Sequence, residues 1–416
     1  MTLAEGEALK KEIKYLRKKV DSLQNQLNAV LKIMAGKKSE KRSTIAQDQL
    51  GLFGDVQPQK KEETEEDFDK NTTKKRKKKP KPLYKSNAGA SIRSYLLVSK
   101  YLDHLPWYRI IAKFKRLGFE LSDSTVNNWF KGVSELMRPL YEIMVDSVKS
   151  SNYLQVDEST IPVIDPEKKG KTHTGYFWVY YSPVDDIVVF DYQKGRGAKF
   201  PKAFLGEFEG HLQTDGYDAY SFIERNNELT HLGCMAHDRR KFFEAENNDR
   251  KRALKMLDMI GELYGVEKLA RENNMTNAQR FARRQEVALP AMVKIKEWLD
   301  ENIYQVTPDS KIGKAISYTL NQWPKLERYL EDGKLEIDNN LVENKIRLLA
   351  LGRKNFLFSG NHHAAQNAAM MYSFLGTCKA NGVNPNQWFQ QTIEKLPYCK
   401  TTEDRRMLLP QLFKGV

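Results

Sequence analysis

A mixed α/β core carrying an all-α insertion, preceded by helical segments, is the fold class the sequence predicts. Two observations carry it. Between Tyr153 and Gln193, the runs YLQVDEST, YFWVYYS and DIVVFDYQ are β-branched and aromatic, split by turn signals at Gly170-Lys171 and Asp185-Asp186. From Asp238 to about Leu330 the pattern is almost wholly helical, long and charged. Strands followed by a helical block make a mixed core with an all-α addition.

Composition sets the outer bounds. The 416 residues are 40% hydrophobic and 11% aromatic, too apolar for a disordered polymer. No apolar run approaches the roughly 18 residues that would span a bilayer, and MTLAEGEALK does not read as a secretory signal, so no membrane partner is expected. The three cysteines, Cys234, Cys378 and Cys399, lie far apart, which excludes a disulfide scaffold and fits a reducing cytoplasm. Lys and Arg number 68 against 54 Asp and Glu, a formal charge of +14. Such a surplus points to nucleic acid, although a merely basic enzyme would carry it too.

Residues 1–35 hold a heptad seam, with Ile13, Val20, Leu27 and Met34 at a and Leu9, Leu16, Leu23 and Val30 at d. β-branched residues at a with Leu at d favour a parallel pair of helices; one amphipathic helix packed on its own protein shows the same spacing. Residues 36–87 lose all periodicity. An acidic run from Glu62 to Asp69 gives way to eight basic residues between Lys74 and Lys85, Lys77 and Lys78 among them. This reads as a charged flexible linker whose Lys-rich arm would grip phosphates without sequence preference.

In residues 88–150 the stretch Trp107 to Leu117 predicts a helix ending at Gly118. Ser122 then caps a second helix over Thr125 to Val133. That is the outline of a helix-turn-helix, in which Asn127, Asn128 and Lys131 would reach DNA; two short helices in a bundle look alike in sequence. Residues 151–245 form the first part of the core. Three strands open it in antiparallel fashion, a helix follows around Pro201 to Phe208, and HLQTDGYDAY reads as a fourth strand. Residues 246–335 are the all-helical insertion. Residues 336–375 are the second part of the core, and 376–416 a C-terminal helical segment.

Two carboxylates take matching places. Asp157 ends the apolar part of the first strand and Asp215 ends the fourth, where side chains face the crevice beside a sheet edge. A turn-forming Asp would sit there equally well. The third candidate is Glu343, on a helix capped by Asp338 that would bury Leu341, Ile346, Leu349 and Ala350. Asn339, Glu343 and Arg347 share another face, with Lys354 about three turns further on. This is either an ion-paired helix face or a metal ligand beside a phosphate backbone. Three carboxylates suit hard divalent cations such as Mg²⁺, and a pair of such ions serves phosphoryl transfer.

At this level of detail the chain resembles the insertion-sequence-66 transposase family, within the DDE transposases of RNase H-like fold. The matching stretches are LVSKYLDHLPWYR, LSDSTVNNW, LQVDESTIPV, GYFWVYY, LQTDGYDAY, CMAHDRRKFF, EIDNNLVENKIRLLALGRKNFLFSGN and YSFLGTCKANGVNP, from about Ser86 to Pro385; QDQLGLFGD is similar to the family's N-terminal segment. The resemblance implies that Asp157, Asp215 and Glu343 are the catalytic and metal-binding triad, Asp215 lying 58 residues after Asp157 and Glu343 a further 128 on. It implies two Mg²⁺ ions, with Mn²⁺ as a substitute. It also implies DNA as partner at both element ends and target, a homodimer or larger assembly, and accessory proteins encoded by some elements. A cytoplasmic, nucleoid-associated location follows.

Arg347, Arg353 and Lys354 would hold the scissile strand, and Arg239 and Arg240 the DNA backbone. Cys234 and His237 match the family's Cys-x-x-His segment. By chemistry alone this is half a zinc site, with His231 a candidate third ligand, or a packing and hydrogen-bonding element near the active-site helix; the second reading is preferred because no fourth ligand is apparent. Relatives commonly carry a cysteine-rich module ahead of the helix-turn-helix, and no cysteine precedes Cys234 here. The implied activity is cleavage at transposon ends and strand transfer. A nuclease without joining activity, or a catalytically idle DNA-binding regulator, would keep much of the same pattern.

Overall fold

The computed structural model describes residues 88–165, 171–225 and 228–413. The heptad segment and the Lys-rich arm, with Lys77 and Lys78, lie outside the described residues. One compact unit runs from Ala90 to Val416.

Three helices open it: α1 (Ala90–Tyr101), α2 (Trp107–Arg116) and α3 (Asp123–Lys149). Gly118 turns the chain after α2 with φ +82°, a value that favours glycine. Ser122 then caps α3, its hydroxyl accepting from the Thr125 N–H at 3.1 Å. The second helix predicted over Thr125 to Val133 is thus the opening of a 27-residue helix with Pro139 inside it. An interior proline costs about 3 kcal/mol. Here Met137, Leu140, Ile143 and Met144 are buried around it, each side chain worth about 1.5–3 kcal/mol, so burial carries the helix through.

The sheet has five strands: β1 (Tyr153–Ile164), β2 (Thr172–Ser182), β3 (Ile187–Gln193), β4 (Gly210–Gln213) and β5 (Leu229–Leu232), with α4 (Lys199–Leu205) between β3 and β4. Their spatial order is β3-β2-β1-β4-β5. The first three pair antiparallel, as the sequence predicts, while β4 and β5 run parallel to β1. The fourth strand is shorter than HLQTDGYDAY suggests. Past Gln213, the Asp215 carboxylate accepts from the Tyr217 N–H at 3.1 Å and Thr214 Oγ1 donates to the Asp215 carbonyl at 2.8 Å, local bonds that compete with a ladder. A 3-10 turn, Asp218–Arg225, follows. The fifth strand, LTHL, is four residues long and gives no alternation to read.

After α5 (Met235–Ala245) come the insertion helices α6 (Arg250–Glu272), α7 (Asn277–Arg283), α8 (Leu289–Asn302) and α9 (Lys311–Leu326). The chain returns through α10 (Asn340–Arg353), α11 (His362–Ala380), α12 (Pro385–Lys395) and α13 (Thr402–Arg406). α10 buries Val342, Leu348, Leu349 and Gly352, while Leu341, Ile346 and Ala350 are only half-buried. The helix is therefore rotated from the face the sequence predicts, which lets Gly352 approach the Tyr372 hydroxyl closely. The β3 edge of the sheet is closed by α11. Val188 N–H donates to Thr377 Oγ1 at 3.0 Å and Phe190 N–H to Ser373 Oγ at 2.8 Å. Hydroxyls four residues apart on a helix are separated by about 6 Å and alternate strand residues by about 6.6 Å, so the two spacings mesh.

An ion network holds the insertion to the strap that leads into α10. Glu267 and Arg284, both fully buried, pair at 2.7 Å. Arg284 also donates to the carbonyls of Tyr329, Asp332 and Leu335, and Arg280 bridges Glu267 to Glu336. Burial alone would raise the Glu267 carboxyl, but hydrogen bonds and charge from Arg284 and Arg280 outweigh it and hold it below the usual range. A carboxylate depressed in the folded state stabilises fully above its unfolded pKa and loses that contribution as pH falls through the folded value. Arg284→Met, which leaves a fully buried carboxylate with Arg280 as its one remaining cation, should cost about 3–5 kcal/mol in urea unfolding at neutral pH. Lys296→Ala, which breaks the exposed Lys296–Asp300 pair, should cost about 1 kcal/mol at most. The Arg284→Met deficit should shrink as pH falls below the carboxylate range; a deficit constant with pH would reject this account.

Candidate active site

Strands β1 and β4 are adjacent and parallel, with Gln155 in register with Gln213 and axes about 4.8 Å apart. Asp157 lies two residues after Gln155, within β1 rather than at its end as the sequence suggests, and Asp215 lies two residues after Gln213, just past the end of β4. Both aspartates are half-buried. Glu343, also half-buried, lies in the first turn of α10, where the positive end of the helix dipole favours a carboxylate.

Electrostatics ties the three together. The Asp157 carboxyl is pushed up to about 8, first by burial, then by the charge of Glu158, with Asp215 and Glu343 adding to it. The Glu158 N–H, donating to Asp157 Oδ1 at 2.7 Å, offsets this in part. A carboxyl raised by burial and by neighbouring negative charge sits in a field that a cation would relieve. Among the described residues no group of three or more His, Cys, Asp or Glu side chains stands closely enough arranged to hold a metal ion. Carboxylate oxygens are nonetheless the donors a hard divalent cation prefers.

A buried amide network fixes the spacing of the elements that bear the acids. Gln155 Nε2 donates to Gln213 Oε1 at 2.8 Å and to the Asp338 carbonyl at 3.0 Å, and Gln155 Oε1 accepts from the Val342 N–H at 3.1 Å. Gln213 Nε2 donates to the carbonyls of Gly233 and Glu336, both at 2.9 Å, and its Oε1 also accepts from Tyr153 Oη at 2.5 Å. Thus β1, β4, the turn after β5 and the start of α10 are pinned at one point. The N-cap of α10 is Asn339, not Asp338 as the sequence suggests, and it makes no side-chain cap bond; Asp338 instead accepts locally from the Asn340 N–H at 3.1 Å and from Tyr264 Oη at 2.8 Å. Gly216, next to Asp215, lies against the Tyr318 hydroxyl, and a Cβ there would collide with it.

Other side chains complete the surroundings. Glu158 accepts from Arg196 Nε at 2.6 Å and from Tyr220 Oη at 3.0 Å. The Arg196 guanidinium lies 3.7 Å from the Tyr217 ring centroid. His237 Nε2 is 3.9 Å from Glu343 Oε1, and its buried Nδ1 has no hydrogen-bond partner among the described residues. Cys234 is buried. Its thiol donates to Asn339 Oδ1 at 2.9 Å, and burial holds the thiol well above its ordinary value. His231 bonds Thr214 Oγ1 at 2.8 Å, and burial, with the charge of Lys325, brings its imidazole down to about 3. A neutral thiol engaged with Asn339 and an imidazole engaged with Thr214 form hydrogen bonds beside the acids.

The basic candidates fall into separate places. Arg347 and Lys354 are exposed. Arg353 Nη1 donates to the Thr160 carbonyl at 2.5 Å and to its hydroxyl at 3.1 Å, bracing β1. Arg239 and Arg240 line a cavity of about 600 Å³ with Phe243, Tyr264 and Asn340. Asn127, Asn128 and Lys131 line another of about 580 Å³, together with Arg353. Sequence reasoning missed Gln155, Gln213, Glu158 and Arg196. The glutamines had a signal: Leu-Gln-x-Asp occurs twice, at Leu154 to Asp157 and Leu212 to Asp215. Arg196, far from Glu158 in sequence, had none.

The fold is a mixed five-stranded sheet with helices packed on it and a helical insertion, and a family of DNA-processing proteins matches the chain. The chain belongs to the IS66 transposase family: the family model "Transposase IS66 family" matches residues 85–367 and "IS66 C-terminal element" matches 373–411. Among similar proteins of Sinorhizobium fredii, the uncharacterized protein y4qI is 33% identical over 77% of this chain and 62% of its own length. A second uncharacterized protein, y4jD, is 29% identical over 79% of this chain and 66% of its own. The chain thus spans less than two thirds of the length of these relatives. Among the described residues no helix is long and apolar enough to cross a membrane.

Removing one glutamine strands buried partners, so Gln155→Ala should cost about 1–3 kcal/mol. Denaturant unfolding checks it; no change would mean that the network does not hold the core. Cys234→Ala should leave the metal content of purified protein unchanged by elemental mass spectrometry. Zinc bound stoichiometrically and lost in the variant would overturn the hydrogen-bonding role.

Proposed function

We propose that this chain is a metal-dependent DNA transposase with an RNase H-like core, cutting at the ends of its element and joining the freed 3′-hydroxyl to target DNA. The observation that supports this is the charge of Asp215, just past β4, and of Glu343, on α10, acting on the Asp157 carboxyl of β1. These three would hold two Mg²⁺ ions, for which Mn²⁺ substitutes, and the ions when bound supply charge stabilisation at the attacking and leaving oxygens of a phosphodiester.

The chain's own contribution is placement. The amide network fixes where the acids stand, so reorganisation is small when a strand arrives. Arg347 and Lys354, exposed on and just beyond α10, would lie along the strand being cut, and Arg239 and Arg240 along its flank. These cations neutralise phosphates and make binding fall with salt. Water attacks the phosphodiester at the element end and releases a 3′-hydroxyl; that hydroxyl then attacks a target phosphodiester, and each step exchanges one P–O bond for another. No covalent protein–DNA intermediate is required. The α2–α3 pair supports a helix-turn-helix reading, with Asn127, Asn128 and Lys131 toward DNA. Paired element ends call for a dimer or larger assembly, in which the heptad segment would share, and some elements would add accessory proteins. The work is done on DNA in the cytoplasm, at the nucleoid.

End-cleavage and strand-transfer assays with Mg²⁺ test the reading. Asp157→Asn, Asp215→Asn and Glu343→Gln should each slow cleavage by about 10²–10³-fold or more, with DNA affinity retained. Cleavage without joining would identify a nuclease instead. Tight binding without cleavage by the unaltered chain would identify a regulator. Full activity in any one variant would overturn the triad.

A further inference from the structure

The cavity of about 580 Å³ that includes Asn127 and Asn128 lies away from the acids, yet shares their supports. Ile161 of β1 and Arg353 of α10 both line it. Ile161 is four residues past Asp157, about 13 Å along a strand. Arg353 is ten residues past Glu343, about 15 Å along a helix. The volume falls within the range of about 300–1,000 Å³ typical of small-ligand sites.

Its chemistry is one-sided. Among the described residues that line it there is no aspartate or glutamate, while Lys100, Lys131 and Arg353 all do. Lys100 is the most telling of these. Its ammonium sits 4.6 Å from the Trp107 ring centroid, 4.7 Å from Phe356 and 5.5 Å from Tyr101. No carboxylate pairs with it among the described residues. Burial brings it down to about 8, so it remains largely charged near neutrality. A cation enclosed by rings, without a counter-ion, and opening on a basic cavity is suited to an anion such as phosphate.

The remaining lining suits a base. Trp107 is half-buried and Phe358 is 47% exposed, so aromatic faces are available at the mouth. The Asn127 and Asn128 side chains are exposed, and neither makes a hydrogen bond within the described residues. Amides of this kind pair with the edges of bases, and aromatic rings stack on their faces for about 1–3 kcal/mol each. That is comparable to the few kcal/mol needed to turn one nucleotide out of a duplex.

We propose that this cavity binds one nucleotide turned out of the DNA duplex, with its phosphate on Lys100 and Arg353 and its base among Trp107, Phe358, Asn127 and Asn128. The inference rests on the transposase reading. At about 3.4 Å per base-pair step, 13–15 Å places the captured nucleotide roughly four steps from the phosphodiester being cut. The pocket would therefore hold a displaced strand while the acids act on its neighbour.

The test uses the full chain in chelator, which prevents cleavage. The probe is a duplex with an eight-nucleotide single-stranded arm carrying 5-iododeoxyuridine at successive positions. Irradiation and peptide mapping should place cross-links on Trp107 or Phe358. Asn128→Ala, on an exposed helix face, should weaken binding of the armed duplex about three- to tenfold and lower the cross-link yield on Trp107 and Phe358 with it. Lys100→Met should weaken it further if the variant keeps the wild-type circular dichroism; Asn128→Ala decides if it does not. Cross-links confined to other peptides, or unchanged affinity in Asn128→Ala, would overturn the proposal. So would displacement of the arm by equimolar deoxynucleoside monophosphate, which would make the ligand a free nucleotide. A parallel Mg²⁺ cleavage assay separates the two readings: cleavage with cross-links elsewhere removes only the pocket, whereas absence of any DNA binding removes both.

Discussion

The arrangement of the core depends on two buried glutamine amides. Gln155 and Gln213 bond to each other across β1 and β4, and each also reaches the strap at residues 336–342. All donors and acceptors of both amides are engaged. Leaving any of them unmet inside the protein would cost about 1–3 kcal/mol, so the network tolerates little displacement of its members. The spacing of two strands and one helix is thereby set by hydrogen-bond lengths, a tighter measure than apolar packing provides. Asp157 stands two residues beyond Gln155 on β1, Asp215 two beyond Gln213 past the end of β4, and Glu343 one beyond Val342 on the helix.

Much of this was legible in the sequence, and the limits follow from physics. The first three strands were readable because aromatic and β-branched runs with clear turns leave few alternatives. Asp157 and Asp215 share the local wording Leu-Gln-x-Asp, but β1 runs on past Asp157 to Ile164 and β4 stops before Asp215, endings that local pattern did not show. What escaped was decided by tertiary context. α3 continues past Pro139 because burial on both sides outweighs a broken helix bond. β5 is too short to show a period. The rotation of α10 is set by Gly352 against Tyr372, a contact that no local pattern encodes. Arg196 reaches Glu158 from a distant loop, and charge pairs of that kind are invisible until the chain is folded.

The all-α insertion is more than an appendage between the second and third acids. Its buried pair, Glu267 and Arg284, fastens the backbone at Tyr329, Asp332 and Leu335, and Arg280 fastens Glu336. Glu336 is in turn a partner of the Gln213 amide. A continuous set of polar contacts therefore runs from the centre of the insertion to the segment that positions Glu343. Length in the chain between Asp215 and Glu343 is converted into rigidity at the helix that bears the last acid.

The closed β3 edge of the sheet bears on how copies of this chain meet. An edge strand with open N–H and carbonyl groups is a template for another strand. On β3, the N–H groups of Val188 and Phe190 are taken by Thr377 and Ser373. The Phe190 carbonyl accepts from Tyr141 at 2.8 Å and the Asp186 carbonyl from Asn381 at 2.9 Å. Strand addition has no purchase on this margin. At this edge a second copy of the chain meets a helix rather than an open strand.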